Sequence, residues 1–589
     1  MRLAIGGGSS ACFQHTMGRL EAHGTPVLLH MLVALADASH EMPMSASARS
    51  RYRKFFEQEI KRRVINDTGV LWQPDMRRLV AGFLAEPGLE AAMCTHGALA
   101  PVFPWLAESF RLSLHELEME PGATDALLAR AAAMFPNLRA VQATQNHFTD
   151  AGLERLHAML PHLQHLDIDG SRDLTRFRAA ADLVELSISS CERLASLDLR
   201  GCPALAGLYI SDCRKLVRIE GVDRLQRTLT NLQVGYPIPG FEDLVRLPAL
   251  LRLEVYANEV DSSSSVVGGD TRISITTSGR LRELEIHDVQ EIQTLACAGD
   301  LETLTVNGCN SLGPIDLTGC QRLRQLEMQF CPRTRLVWSE EGLPELRKLS
   351  LHFLAHLEHL PLVGFGNLTD ITIQGCPALT LPDVSGLTAL ETLVLAEMAL
   401  EIDADWLTSL HVLPKLRYLD ISASVLPADL ETLQPPPSLW TLALGPESLD
   451  GQPMAALHTL DLTRCTQLKV LRVLGCPLRS LVTGHLGALQ SLTLRNSPRI
   501  TGLDLSANAE LESLELLGCP QIEVLRMGPR NSRQLERVYI EAAPRIGSGS
   551  IRGLRVLAGL GYLFFDSIRH GDLEYLRAEL PDANIKGDD

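Results

Sequence analysis

Leu183-Val-Glu-Leu186-Ser-Ile188-Ser-Ser-Cys191-Glu-Arg-Leu194-Ala-Ser-Leu197-Asp-Leu199-Arg-Gly-Cys202 states one phrase twice, L-x-x-L-x-L-x-x-C, at a step of eleven residues. The step continues to Cys213 and recurs at Cys309, Cys320, Cys331 and at Cys465, Cys476. Two phrases make a unit of about 22 residues, too small to bury its own apolar side chains, so successive units must stack into a solenoid. The chain has 589 residues, far more than one compact core holds. Hydrophobic residues make up 46% but aromatics only 5%, so leucine does the packing, one side chain per equivalent slot.

Both phrases carry a strand-like L-x-L, and three units show which lines the inner curve. Asp150–Leu160 has Leu153, Leu156 and Leu160 at helical spacing, stops at Pro161, and leads into Leu163-x-x-Leu166-x-Ile168. Phe241–Leu250 stands likewise before Leu253, and Trp406–Leu413 before Leu419. A helix is too wide for the inner curve, so the strand after it is concave. The phase predicts concave strands at Val141, Leu166, Leu186, Leu208, Leu232, Leu253, Leu284, Leu304, Leu326, Leu349, Ile371, Leu393, Leu419, Leu442, Leu471, Leu492, Leu514 and Val538. The mean step is about 23 residues, a leucine-rich-repeat spacing. The expected fold is therefore an α/β solenoid, a leucine-rich-repeat horseshoe of about 18 coils of 22–23 residues with a parallel concave sheet. Leu197-Asp-Leu199, Ile315-Asp-Leu317, Leu503-Asp-Leu505 and Leu525-Arg-Met527 become short convex strands, and Asp261–Asp270 and Pro435-Pro-Pro437 convex excursions.

Residues 1–135 lack the period. Pro26–Ala36 is largely apolar, and Ser50–Ile65 places Tyr52, Phe55, Phe56, Ile60 and Val64 on one helical face. Thr124–Met134 reads as a further helix, so 1–135 is expected to be a helical N-terminal domain or cap, followed by a solenoid over 136–555. Residues 556–589 read as a C-terminal cap. Gly571–Leu576 there is similar to half an ankyrin repeat, but a cap helix explains it better.

The net charge of −17 argues against nucleic acid or an anionic membrane surface as partner. No apolar stretch is long enough for a transmembrane segment, and Met1–Cys12 breaks into glycine too early for a secretory signal. Cysteines at a repeated strand-end position read as small buried core residues in a reducing, cytoplasmic compartment. There is no C-x-x-C and no zinc spacing, so neither metal nor cofactor is expected. Cys12 with His15 and Cys94 with His96 are nucleophile-and-base neighbours without an orienting third group. His162 and His165 lack further ligands. No catalytic residue is assigned.

Alternation along each concave strand turns the residues beside its second leucine to solvent. Asp167, Asp169, Tyr209, Glu254, Tyr256, Glu285, His287, Glu327, Gln329, His352, Arg472 and Arg495 are the candidates for binding a partner there. The run from Asp167 to Glu327 is acidic, which suits a protein with a basic patch, and exposed aromatic groups tend to anchor interfaces. The N-terminal region gathers Arg49, Arg51, Arg53, Lys54, Lys61, Arg62, Arg63, Arg77 and Arg78, which could dock the acidic concave face, contact an acidic partner or touch membrane; a solvated amphipathic helix is the ordinary explanation.

Phrases such as Leu304-Thr-Val-Asn-Gly-Cys309 and Ile371-Thr-Ile-Gln-Gly-Cys-Pro377 resemble two groups of leucine-rich-repeat proteins, over roughly 136–555. One is the repeat region of plant disease-resistance receptors, which would require a G-x-x-x-x-G-K-[ST] loop that this chain lacks. The other is the leucine-rich-repeat effectors that bacteria inject by type III secretion. That resemblance implies a monomeric, non-enzymatic recognition scaffold in a host cytosol. Its alternative is a ubiquitin ligase or substrate adaptor, with the repeats choosing the substrate. The enteric ligase type carries a catalytic C-x-D cysteine after its repeats, whereas here no cysteine follows Cys519.

Overall fold

The computed structural model describes residues 139–587, apart from 145–147, 259–272, 446–456 and scattered single or paired positions. It also describes 111–113 and the isolated positions 125, 129 and 132. The chain divides into two compact units, Met1–Val267 and Gly268–Asp589.

Each unit is a leucine-rich-repeat solenoid. In the first, Ala140–Thr144, His165–Asp169, Glu185–Ser189, Gly207–Ser211, Asn231–Tyr236 and Arg252–Ala257 form a parallel ladder. Val141, Leu166, Leu186, Leu208, Leu232 and Leu253 are its register partners, one to the next. In the second unit, one register line runs from Leu284 through Leu304, Leu326, Leu349, Ile371 and Leu393. It continues through Leu419, Leu442, Leu471, Leu492, Leu514 and Val538. Every strand position expected from the phasing lies on these two lines.

Three long strands go beyond the expectation. Arg111–Ser113 pairs with Ala140–Gln142, while Tyr562–Phe565 and Asn584–Gly587 prolong the second ladder. The helical domain expected over 1–135 otherwise lies outside the described residues, although Asp125, Ala129 and Ala132 are helical.

Burial alternates along the long strands as the side-chain period of two requires. The inward leucines and isoleucines of the long strands from Leu166 to Ile540 are fully buried, and most of those in the short-strand phrases are buried too, each fully buried one contributing about 1.5–3 kcal/mol. Opposite the long strands, short ones make separate small sheets: Arg176–Arg178, Ser196–Asp198 and Arg218–Glu220 in the first unit. In the second, Gly502–Asp504 pairs with Val524–Arg526.

The expected helices form on this opposite side but are shorter. Asp150–Met159 is capped by the Thr149 hydroxyl, which accepts from the Gly152 amide at 3.2 Å. Phe241–Val245 stops short of Leu250 because Pro248 steers its predecessor out of helical geometry. Ala404–Ser409, capped by Asp403, tightens into a 3-10 turn over Leu410–Val412.

A left-handed residue ends most long strands and turns the chain into the core. Serine, aspartate and even phenylalanine hold this conformation, as at Ser190 (φ 51), Asp212 (φ 46), Phe330 (φ 51) and Phe353 (φ 54). A small buried side chain follows. Cys191 donates to the Ser189 carbonyl at 3.3 Å, Cys309 to Asn307 at 3.4 Å and Cys331 to Gln329 at 3.3 Å. Cysteine suits this turn because it fills a small apolar slot and still offers a weak donor.

The thiols form two rows rather than the single repeat position expected. Cys202, Cys320 and Cys465 stand after short strands, because both phrases close alike, and Asn508 and Asn531 take their place further on. All described cysteines are unpaired and buried.

Candidate functional site

The outward positions of the long strands stack into rows, because an in-register parallel ladder sets equivalent residues side by side about 4.8 Å apart. In the first unit, one row reads Gln142, Asp167, Ser187, Tyr209, Gln233, Glu254. Gln142 donates to Asp167 at 2.9 Å and Gln233 to Glu254 at 3.1 Å. Asp169 accepts from Ser189 at 2.6 Å in the next row, and Tyr256 lies beside Gly235. Burial raises the pKa of both Tyr209 and Tyr256, so their phenols stay protonated donors.

In the second unit, the corresponding row begins Glu285, Thr305, Glu327, Ser350, Thr372. Beside it run His287, Asn307, Gln329, His352 and Gln374. His352 is held between the Ser350 hydroxyl at 2.7 Å and Gln374 at 3.2 Å, and His287 lies 3.7 Å from Glu285. Arg472 and Arg495 occupy neighbouring strands but different rows: Arg472 pairs in register with Thr493, Arg495 with Leu474. Arg495 is bound to Glu515 at 2.6 Å, whereas Arg472 is exposed and meets no carboxylate among the described residues.

The pattern L-x-L overlooked several aromatic groups. Phe330 and Phe353 stack with ring centroids 4.8 Å apart at 4°, and Phe330 is 47% exposed. Both hold the left-handed conformation, which is costly for so bulky a side chain. An added Cβ at Gly375 (φ 63) would strike the Phe353 ring, so glycine there leaves the ring its place. Tyr539 and Phe564 stack at 4.5 Å on the outward row. Trp440, 39% exposed, lies between Arg417 and Lys469. All could have been found by aligning the coils and reading across them.

The opposite side uses its polar residues locally. Asp316 accepts from the Thr318 amide at 2.9 Å and hydroxyl at 2.7 Å, and Asp461–Thr463 and Asp504–Ser506 repeat the arrangement. The side-chain hydroxyl foremost, then the amide, holds each carboxylate below its ordinary pKa. These depressed values belong to turns, not to proton-transfer sites.

The described thiols are all buried, and most have a raised pKa; in Cys213, Cys320 and Cys331 the bond from a neighbouring thiol lowers it, outweighing burial. Burial pushes Cys202, Cys465 and Cys519 up to about 11 and Cys476 to about 12. In Cys191, Cys309 and Cys297 a bond to the cysteine of the next coil, joined by burial, raises the pKa as well. Cys12 and Cys94 lie outside the described residues. His162 meets Asp182 at 3.0 Å and His165 meets Glu185 at 2.8 Å, separate pairs on adjacent coils. Among the described residues, no helix is long and apolar enough to cross a membrane.

No family model and no curated protein matches the chain. Similar solved structures include a leucine-rich-repeat protein of Leptospira interrogans, 14% identical, with a TM-score of 0.39 over 83% of this chain and 98% of that one. The functional domain of InlJ from Listeria monocytogenes, described as including a cysteine ladder, is 16% identical, with a TM-score of 0.33 over 79% of this chain and 74% of that one. A Listeria monocytogenes internalin, InlF, is also 16% identical, with a TM-score of 0.29 over 76% of this chain and 93% of that one.

Proposed function

We propose that the long-strand faces recognise a protein partner and that the chain performs no chemistry of its own. The observation that carries this reading is the set of in-register outward rows. They offer carboxylates, amides and phenols from Asp167 to Tyr256 in the first unit, and carboxylates, amides and imidazoles from Glu285 to His352 in the second, on ladders whose inward positions are buried. The acidic stretch, with Asp167, Asp169, Glu254, Glu285 and Glu327, favours a partner with a basic patch. Tyr209, Tyr256 and His287 supply half-buried aromatic surface of the kind that anchors interfaces.

The finer reading, a translocated bacterial effector acting as a monomer in a host cytosol, rests on the sequence resemblance. A ligase that transfers through a thiol would have to use Cys12 or Cys94, since the described cysteines are buried, and an adaptor would use the same rows to choose its substrate. The domain division at 1–135, 136–555 and 556–589 is proposed from where the repeat period begins and ends, with the strands Arg111–Ser113, Tyr562–Phe565 and Asn584–Gly587 joining the ladders from the flanking segments.

The test is capture of a partner from a candidate host by the full chain, followed by binding of the purified pair. Tyr209→Ala, Tyr256→Ala and His287→Ala are each expected to weaken binding with thermal stability unchanged. Binding indifferent to all three would reject these faces as the recognition surface. Ubiquitin discharge lost in Cys12→Ala or Cys94→Ala would establish the enzyme instead.

A further inference from the structure

Trp440 stands two residues before the first leucine of its strand, and Arg417 and Lys469 hold the same place on the coils to either side. The Trp440 amide donates to the Arg417 carbonyl and the Lys469 amide to the Trp440 carbonyl, both at 2.7 Å. Coil spacing therefore stacks the three side chains. The Arg417 guanidinium lies 4.5 Å from the ring centroid and the Lys469 ammonium 4.9 Å from it. A salt bridge fixes a cation by cancelling its charge, whereas an aromatic face fixes it and leaves the charge available. Both faces of this indole are thus occupied by cations, and its edge remains open to solvent.

Two further groups complete the patch. Tyr418 is 37% exposed; burial first and then the Asp420 carboxylate raise its pKa, against a smaller opposite effect of Arg472, so its phenol stays a protonated donor. Neither Lys469 nor Arg472 meets a carboxylate among the described residues, and the indole N–H of Trp440 has no acceptor there. Arg417 has one distant carboxylate, Glu391 at 4.0 Å. The nearby Asp420 spends one oxygen on the Ser422 amide at 3.0 Å and hydroxyl at 2.6 Å.

We infer that Arg417, Trp440, Lys469 and Arg472 form a preorganised anion site that takes a short acidic peptide segment of a partner protein. Carboxylates of an extended segment would meet the two ring-held cations and Arg472, with Tyr418 and the indole N–H as neutral donors. The patch is small and bounded by Glu391 on the coil before Arg417 and by Glu515 two coils beyond Arg472. In a chain of net charge −17, a long polyanion such as nucleic acid would run onto repelling rows, while a short acidic segment fits between them. The inference rests on the reading of the long-strand faces as recognition surfaces and gives one stretch of them a partner chemistry.

The probe is an end-labelled oligo-glutamate peptide titrated with the full chain and followed by anisotropy, beside an oligo-thymidylate of equal charge. The peptide is expected to bind and to be released by salt. The Lys469→Ala/Arg472→Ala double variant should weaken it about five- to tenfold, the combined effect of two exposed charge contacts. Trp440→Ala should also weaken it although no charge is removed, and Trp440→Phe should restore part of the loss. That response separates cations laid out by the ring from a diffuse positive patch. Equal affinity in the double variant, indifference to Trp440→Ala, or tighter binding of oligo-thymidylate would each overturn the proposal; circular dichroism confirms that the variants are folded. Because the probe is defined, its failure while Tyr209→Ala or His287→Ala still weakens partner binding removes this site alone.

Discussion

The two sides of the coil are built from nearly the same phrase and put their polar residues to opposite uses. On the short-strand side, Asp316, Asp461 and Asp504 are consumed by hydroxyls and amides two residues on, and Asn508 and Asn531 are buried against carbonyls. On the long-strand side, Thr305 and Glu327 lie in rows that close no turn, and Asp420, which serves Ser422 as the short-strand aspartates do, is an exception there. Local demand thus distinguishes the faces. A tight turn recruits its own polar groups, whereas a flat ladder satisfies its backbone through neighbouring strands and releases its side chains for other contacts.

The largest effects should ignore that difference. Leu317→Ala on the short-strand side and Leu326→Ala on the long are both fully buried, and each should cost about 2–5 kcal/mol in denaturant unfolding. A trivial loss at Leu317 would mean that the short-strand half-coil is not true core.

The comparison should sharpen at Asn508, whose amide donates to the Thr483 carbonyl at 2.9 Å and to Leu486 at 2.8 Å. Asn508→Leu removes both bonds and leaves the Thr483 and Leu486 carbonyls only the backbone amides of Leu486 and Leu489, and is expected to cost about 1–3 kcal/mol. An innocuous Asn508→Leu would show that the turns do not need their polar residues.

Acid provides a third contrast. Because Asp316, Asp461 and Asp504 have pKa values depressed in the fold, their contribution is complete above the unfolded carboxylate value, near pH ~4. It is lost as pH falls through the lower folded values. The triple alanine variant should therefore show a flatter decline of melting temperature at acid pH than the parent chain.

The smallest stability effects belong to the outward rows. Thr305→Ala and Glu327→Ala should each shift unfolding by no more than about 0.5 kcal/mol. A larger loss would mean that these residues maintain the fold rather than await a partner.

Much of this architecture could be read from three helical segments. Asp150–Leu160, Phe241–Leu250 and Trp406–Leu413 set the phase, and the phase located the strands from Val141 to Val538. The added strands escaped because they lack the full phrase: Asn584-Ile-Lys-Gly587 has one apolar residue, and its neighbours supply the rest of the ladder. The cation-bearing tryptophan escaped for another reason. Arg417, Trp440 and Lys469 are more than twenty residues apart and outside L-x-L, so their stacking exists only once the coils are laid side by side. Phe330 and Phe353 were missed likewise, since nothing local announces a phenylalanine in a left-handed turn.

The backbone bonds before each strand have a further consequence. The Arg324 amide donates to Glu302, Arg347 to Arg324 and Thr369 to Arg347, at 2.8, 2.9 and 2.9 Å. Excising Arg324–Leu346 would present Arg347 to the acceptor that Arg324 had used. A whole coil is therefore a unit of length that this backbone joint can lose or gain, and each such change would alter the reach of the outward rows while the side-chain pairs across the new joint, such as Arg324 with Glu302, would be replaced.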